Sequence, residues 1–274
     1  MNAKIWSTKW NKLMVNTYWH KQTVEKPLFP DLLWSRPETK QARGKLLIIG
    51  GNSQGFMAPA QAYSAAIEAG IGASRVILPQ HVQKLLPKSF SEMEFATSNP
   101  SGGFARQALA ELLDIAQWSD GVLLAGDFGR NSETAILLES FSQKYTGQLT
   151  LVQDSIDYFL SNSIQILARQ KTLVVPTFTQ LQKLGTAAKF KTAFTSNMDF
   201  LHFIEALHEF TKEHQIAVIV NHLETDFVAV DGQVSSTKPG SNDNEVSVAS
   251  QSAVWWLQNP TKQFEALTTS LTKP

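Results

Sequence analysis

Four loops hold the residues whose types and spacing could do chemistry. Gly50-Gly51-Asn52-Ser53-Gln54-Gly55 follows the apolar run Leu46–Ile49, and Gly126-Asp127-Phe128-Gly129-Arg130 follows Gly121–Ala125. Gln153-Asp154-Ser155 closes Gln148–Val152, and Gly240-Ser241-Asn242-Asp243 precedes the last helical segment. A carboxylate at a strand end can line a substrate cleft, but Asp is equally at home in a turn. Asp127 and Arg130 can pair beside Asn131, and Asp243 is of a type favoured at a helix N-cap. The first loop is no phosphate cradle of the G-x-x-x-x-G-K-[ST] kind, because Phe56 and Met57 stand where Lys and Ser/Thr are needed; nor is it G-x-G-x-x-G. The six histidines show no metal spacing. His208-Glu209…His214 is not H-E-x-x-H, and its rings fall on different helix faces, as surface residues would. With no G-x-S-x-G and no cysteine, serine and cysteine nucleophiles drop out, as do disulfides and thiolate metal sites.

The elements that position these loops alternate. Leu46–Ile49, closed by Gly50-Gly51, reads as a strand buried on both faces. Pro59 can sit in the first turn of a helix without losing a hydrogen bond, Ala60–Ala69 is nearly all good helix former, and Gly70 supplies the stop. Arg75–Leu78 is a second buried strand, so the unit is a right-handed crossover with parallel strands. In such sheets ligands bind beyond the carboxyl ends of the strands, here at Gly50–Gly55. Further strands are read at Glu92–Ala96, Gly121–Ala125, Gln148–Val152, Thr172–Val175 and Ile216–Val220. Helices are read at Ala105–Gln117, from an Asn131 cap to about Gln143, at Phe200–Phe210 and up to about Leu257. Asp231-Gly232 between two short β-patterned runs predicts a hairpin. The alternation predicts an α/β sandwich on a mainly parallel sheet with a late antiparallel hairpin.

Lys plus Arg equal Asp plus Glu at 24 each, which gives no steering towards nucleic acid or anionic membranes. No apolar run approaches the roughly 20 residues that span a bilayer, and MNAKIWSTKW lacks a signal-peptide core, so a cytoplasmic protein is expected. Residues 1–43 carry Trp6, Trp10, Trp19 and Trp34 without a sustained period. They read as an extension that packs over the 44–274 domain or onto a neighbouring subunit, which makes a homo-oligomer the expectation.

Taken together, the loops resemble the ADP/ATP-dependent NAD(P)H-hydrate dehydratase family of ribokinase-like proteins, over about residues 36–257. Gly44–Pro79 is similar to that family's G-[RK]-V-L-V-I-G-G…A-P…A-G-A-G…V-P, including Ala58-Pro59 and Ala69-Gly70-Ile71-Gly72. Ala125–Arg130 stands where the family has G-P-G-L-G-R, Val152-Gln153-Asp154 where it has D-A-D, and Gly240–Asp243 where it has G-T-G-D. The resemblance implies a ribokinase-like three-layer α/β/α sandwich. It also implies Asp243 as the base that takes a proton from a substrate hydroxyl, beside a helix N-terminus that favours anions. Nucleotide contacts would fall to Gly240, Ser241, Asn242 and Asn221, and substrate contacts to Asn52, Ala58, Gly129, Asp154 and Thr177. The cofactors implied are ATP or ADP, with Mg2+, acting on NAD(P)H hydrate; the protein itself would supply no metal site.

The chain departs from that pattern at named places. Asn221-His222 replaces K-G after the late strand, and Val175-Pro176-Thr177-Phe178-Thr179-Gln180 replaces T-P-H-P-G-E. Asn242 replaces a glycine, and the Gly-rich segment before Gly240 is shortened. Three readings follow from the resemblance: a dehydratase, a small-molecule kinase with another hydroxylated substrate, and a nucleotide-binding homologue that has lost catalysis.

Overall fold

The computed structural model describes residues 17–86, 92–238, 240 and 243–272. Trp6, Trp10, Ser241 and Asn242 therefore lie outside the described residues. Ten strands make one sheet: β1 Trp19–Gln22, β2 Lys45–Gly50, β3 Ala73–Pro79, β4 Met93–Ala96, β5 Gly121–Gly126, β6 Gln148–Val152, β7 Thr172–Val175, β8 Ile216–His222, β9 Thr225–Val230 and β10 Gln233–Thr237. Their order is β1-β10-β9-β8-β7-β6-β5-β2-β3-β4. Both neighbours of β9 run antiparallel to it, and all other pairs are parallel. All nine strands expected from apolar runs and the hairpin signal are thus present in one sheet.

Alternation along each buried strand serves two cores. Leu46 and Ile48 of β2 enter one cluster with Ala62, Ala249 and Leu267, whereas Leu47 and Ile49 enter the other with Leu112, Leu137 and Phe210. Helices α2 Met57–Glu68, α9 Glu245–Gln258 and α10 Gln263–Ser270 cover the first face. The second is covered by α3 Leu109–Ala116, α4 Ser132–Lys144, α5 Asp154–Asp157, α6 Ser163–Leu167, α7 Phe178–Ala187 and α8 Phe200–Glu213. This is a three-layer α/β/α sandwich.

Four of these helices escape a reading by pattern, the short α5 and α6 and the longer α7 and α10. Helix α7 contains Gly185, a poor helix former, because the Phe194 ring packs within 3.0 Å of where its Cβ would stand. Helix α10 has Thr268 and Thr269 mid-segment, but buries Ala266 and Leu267. Tertiary packing outweighs propensity in both.

The expectation that His208 and His214 lie on a helix surface is corrected. His208 stacks on Tyr18 at 3.7 Å with Nδ1 against the Gly232 carbonyl, and His214 Nε2 is buried. Helix α8 packs against β10 and Tyr18, which draws His208 inward, whereas His214 is held against the Phe210 ring at 4.7 Å.

Residues 17–43 supply a strand that the sequence pattern does not announce. Strand β1 lies parallel on β10, and Trp19 Nε1 donates to Ser236 Oγ at 3.0 Å. Gln22 is buried; its Nε2 donates to Thr237 Oγ1 at 2.8 Å and to the Thr268 carbonyl at 2.7 Å, while Oε1 accepts from Leu28 N–H. Side-chain hydrogen bonds therefore fix an edge strand of polar composition. Further on, α1 Pro30–Trp34 leads to Arg36, which lies over the Trp255 ring at 4.5 Å and bonds Gln258. Trp34 itself is 88% exposed. Replacing Gln22 by Ala leaves a buried carbonyl and amide without partners and should destabilise the whole domain by about 2 kcal/mol. Urea unfolding reads this directly, and a change within about 0.5 kcal/mol, the surface norm, would mean that β1 is dispensable.

Candidate active site

The chain leaves β2 in one direction, through β3 and β4, and leaves β5 in the other, through β6, β7 and β8. The β2/β5 boundary is therefore a switch point, the place where open α/β sheets form a crevice. Its two strands come very close. A Cβ on Gly50 would stand 2.6 Å from the Gly126 carbonyl, Gly51 N–H donates to that same carbonyl at 2.9 Å, and the register shifts between Ile49 and Gly50. Only glycine fits such an approach.

Around this point several of the expected residues converge. Asn52 Nδ2 donates to the Asp127 carbonyl at 2.6 Å, and Asn52 Oδ1 accepts from Gln54 N–H at 2.6 Å. Asp127, at φ 58°, accepts Ala58 N–H on Oδ2 at 2.7 Å and so caps α2 from another loop. This task, rather than pairing with Arg130, occupies the Asp127 carboxylate. Gly129 N–H donates to Asp154 Oδ2 at 3.1 Å, and Tyr158 donates its hydroxyl to the Gly129 carbonyl. Gln153 takes φ 55° and ψ −138° just before Asp154. A non-glycine residue so placed costs about 1–3 kcal/mol, which neighbouring contacts must offset.

Asp154 lines a cavity of about 490 Å³ with Gly129, Arg130, Asn131, Ser132, Asp157 and Tyr158. That volume lies within the range of roughly 300–1,000 Å³ typical of small-molecule sites. Burial pushes the Asp154 carboxyl above the ordinary aspartate range. The amides of Phe128 and Gly129 oppose this, and the charges of Asp127 and Asp157 add to it. Its Oδ1 is buried with no hydrogen-bond partner among the described residues.

A second cavity, of about 190 Å³, is lined by Val175, Pro176, Ile219, Asn221, Asp226, Asp243, Glu245 and Val248. It sits at the same edge of the sheet. Helix α9 runs alongside α2, joined by Asn244 to Gln61 at one end and by Gln258 to Gly70 at the other, so its N-terminus also points to the carboxyl ends. The cap of α9 is Asn244, whose Oδ1 accepts Ser247 N–H at 2.9 Å; Asp243 stands one residue outside. Asn221 Nδ2 donates to buried Asp226 at 2.6 Å. Gly240 N–H donates to the Glu224 carbonyl at 2.7 Å, and a Cβ on Gly240 would stand 2.6 Å from Asn221 Nδ2.

The structure thus gathers Asn52, Ala58, Gly129 and Asp154 in one group, and Asn221, Gly240 and Asp243 in another. A single cleft joining Asp243 to Asn52, Gly129 and Asp154 is not what the lining residues describe. The reason is topological: the first group follows β2, β5 and β6, the second follows β8 and β10, and β7 stands between them. Thr177, at the exposed N-cap of α7, lines neither cavity but adjoins Pro176 of the smaller one. His222 is no substitute for a lysine, since it stacks on Phe178 at 4.2 Å and burial holds its imidazole below the usual range. Sequence reasoning passed over Asp226, although an acid opening the apolar strand Thr225–Val230 is its signal.

No family model matches the chain. Over 96 residues it is 33% identical to the bifunctional NAD(P)H-hydrate repair enzyme Nnr of Methanothermobacter thermautotrophicus, which is 35% of this chain and 18% of that enzyme's length. A ribokinase-like superfamily protein from Enterococcus faecalis superposes with a TM-score of 0.69 at 16% identity, covering 94% of this chain and 87% of the other. The ADP/ATP-dependent NAD(P)H-hydrate dehydratase of Bacillus subtilis, co-crystallised with ATP and Mg2+, superposes with a TM-score of 0.62 at 10% identity, covering 90% and 86%. The fold is ribokinase-like.

Asp154 supplies a pH test of this geometry. With its folded pKa raised, the carboxyl adds stability below its unfolded pKa, about 3.9, and this is lost as pH rises through the folded value. Asp154→Asn removes the titration while keeping an acceptor for Gly129. The stability of the variant relative to wild type should climb with pH from about 4 upward to a plateau. Parallel stability curves would show that Asp154 is not buried as described.

Proposed function

We propose that this ribokinase-like chain is a nucleotide-dependent dehydratase of hydrated NAD(P)H, with Asp243 as the base. The observation that carries the reading is the position of Asp243 in a cavity before the capped N-terminus of α9, at the carboxyl edge that also holds the Asp154 cavity. Asp243 would take the proton of the ring hydroxyl as its oxygen attacks the terminal phosphoryl group. The amides opening α9 would face the charge carried by that group, since phosphoryl transfer depends mainly on positioning and charge stabilisation. The shortened nucleotide leaves; the C–O bond of the phosphorylated ring then breaks as the adjacent ring carbon gives up a proton, phosphate departs, and the reduced nicotinamide ring is restored. The similarity to Nnr and to the B. subtilis enzyme supports this choice of substrate.

The smaller cavity is acidic. Asp226, Asp243 and Glu245 line it, and no Lys or Arg does so among the described residues. A bare polyphosphate would be repelled. Among the described residues no three His, Cys, Asp or Glu side chains converge as a metal cage. Mg2+ binds through one or two carboxylates plus substrate phosphates. Glu245 and Asp226 would hold it, and the ion would neutralise charge on the transferring group. Nucleotide binding is therefore expected only with Mg2+. In a thermal-shift assay ADP or ATP at about a hundred times its dissociation constant should add roughly 2.7 kcal/mol. Stabilisation of equal size in EDTA would contradict the charge argument.

A second reading rests on a specific observation. The cavity at Asp243 is smaller than ordinary ligand pockets, and Asn221 is engaged with Asp226. A homologue that binds nucleotide without catalysis would show both. Asp243→Asn separates the two readings, because it removes the base while the cap at Asn244 stays in place. In a dehydratase the variant loses about 10²-fold or more in turnover of hydrated NADH. Wild-type protein that binds Mg-nucleotide but restores no NADH absorbance would establish the non-catalytic reading.

A further inference from the structure

We infer that Gln180 is a positioning residue that holds Asp154 and the acidic wall of the larger cavity in place. Gln180 is 8% exposed and uses both ends of its amide. Its Oε1 accepts from Thr177 N–H at 3.1 Å and from Thr177 Oγ1 at 3.2 Å. Its Nε2 donates to the Gln153 carbonyl at 2.8 Å and lies 3.4 Å from Asp157 Oδ2. The Gln153 carbonyl belongs to the peptide bond from which Asp154 departs, and Gln153 is the residue at φ 55°. The same carbonyl accepts Ile156 N–H at 3.1 Å, and the shorter bond from a different helix adds the second hold on this peptide plane. That plane sets where the Asp154 carboxyl stands relative to Gly129 and the cavity.

The chemistry of position 180 follows. An amide offers an acceptor at one atom and two donor hydrogens at the other, which matches the groups around it. A glutamate would still serve the capping box with Thr177, since Glu is a usual residue at that place. Ionised, however, it would set a carboxylate oxygen against the Gln153 carbonyl and Asp157. Gln180→Glu thus keeps the cap and breaks the strut, which separates the two roles.

The titratable groups facing this position are Asp154 and Asp157 from α5, Lys183 on α7 itself, and His222 of β8 through its stack on Phe178. Burial and the two acids favour the protonated form of a glutamate here, whose O–H could then donate to Gln153. The defect of Gln180→Glu should therefore be large at pH 8 and fade towards pH 5.5.

Two measurements read it. The first is amide exchange at Gly129, whose N–H bonds Asp154, compared with wild type at each pH. Exchange should be about tenfold faster in Gln180→Glu at pH 8 and near wild type at pH 5.5, the size expected for one lost buried hydrogen bond. Gln180→Ala should be fast at both. The second rests on the dehydratase reading: KM for hydrated NADH should rise in Gln180→Glu at pH 8, with kcat little changed, and recover in acid. Exchange in Gln180→Glu equal to wild type at pH 8, a defect that acid does not relieve, or acid relief in Gln180→Ala as well would each overturn the inference. If wild type turns over no hydrated NADH, the dehydratase reading falls and the exchange data alone decide the role of Gln180.

Discussion

The close approach of Gly50 and Gly126 at the β2/β5 boundary is the constraint on which the site depends. A parallel sheet puts every strand's carboxyl end on one edge, but a crevice opens only where neighbouring connections diverge. Here the divergence is built from two glycines whose backbones touch, with Gly51 N–H closing onto the Gly126 carbonyl. A side chain on Gly50 would part the strands, and one on Gly126 would strike Gln153. Asn52, Asp127, Gly129 and Asp154 are consequences of that contact, because each sits within three residues of a strand end that the contact aligns.

From there the edge is organised by polar groups that tie one loop to the next. Asp127 caps α2, Asp154 takes the Gly129 amide, and Gln180 reaches back from α7 to Gln153. At the far side Asn221 joins Asp226, and Glu224 holds Gly240. Each tie satisfies a backbone or carboxylate group that would otherwise be costly to bury. The two cavities differ accordingly in character. The larger is walled by a raised-pKa carboxyl, and the smaller collects three acids at a helix N-terminus.

Much of the scaffold was legible in the sequence, for a simple reason. Leu46–Ile49, Val122–Ala125 and Leu173–Val175 are buried on both faces, so their apolar runs have no polar interruption to blur them. Strand β1 was not legible because hydrogen bonds of Gln22 and Trp19, not apolar contacts, hold it on β10. Helix α7 was hidden by Gly185, whose place is set by Phe194. In the site, the residues at strand ends were visible from the loop positions alone. What could not be read was how they divide. Spacing does not show that Asp243 and Asp154 line different cavities, nor that Asn244 takes the cap, since Asp and Asn compete for it on equal terms. Gln180 looked like a lost glutamate until its donor end was seen to face the Gln153 carbonyl and Asp157.

The central claim is that phosphoryl chemistry belongs to the carboxyl edge between Pro176 and the start of α9. A crystal structure of the protein grown with ADP and Mg2+ tests it most directly. The account predicts phosphate density against the first amides of α9, with the ion between the phosphates and Glu245 or Asp226, and Asp243 facing the terminal phosphate. Nucleotide bound in the separate cavity of Thr192, Asp199 and Glu209, or none bound at saturating concentration, would contradict it.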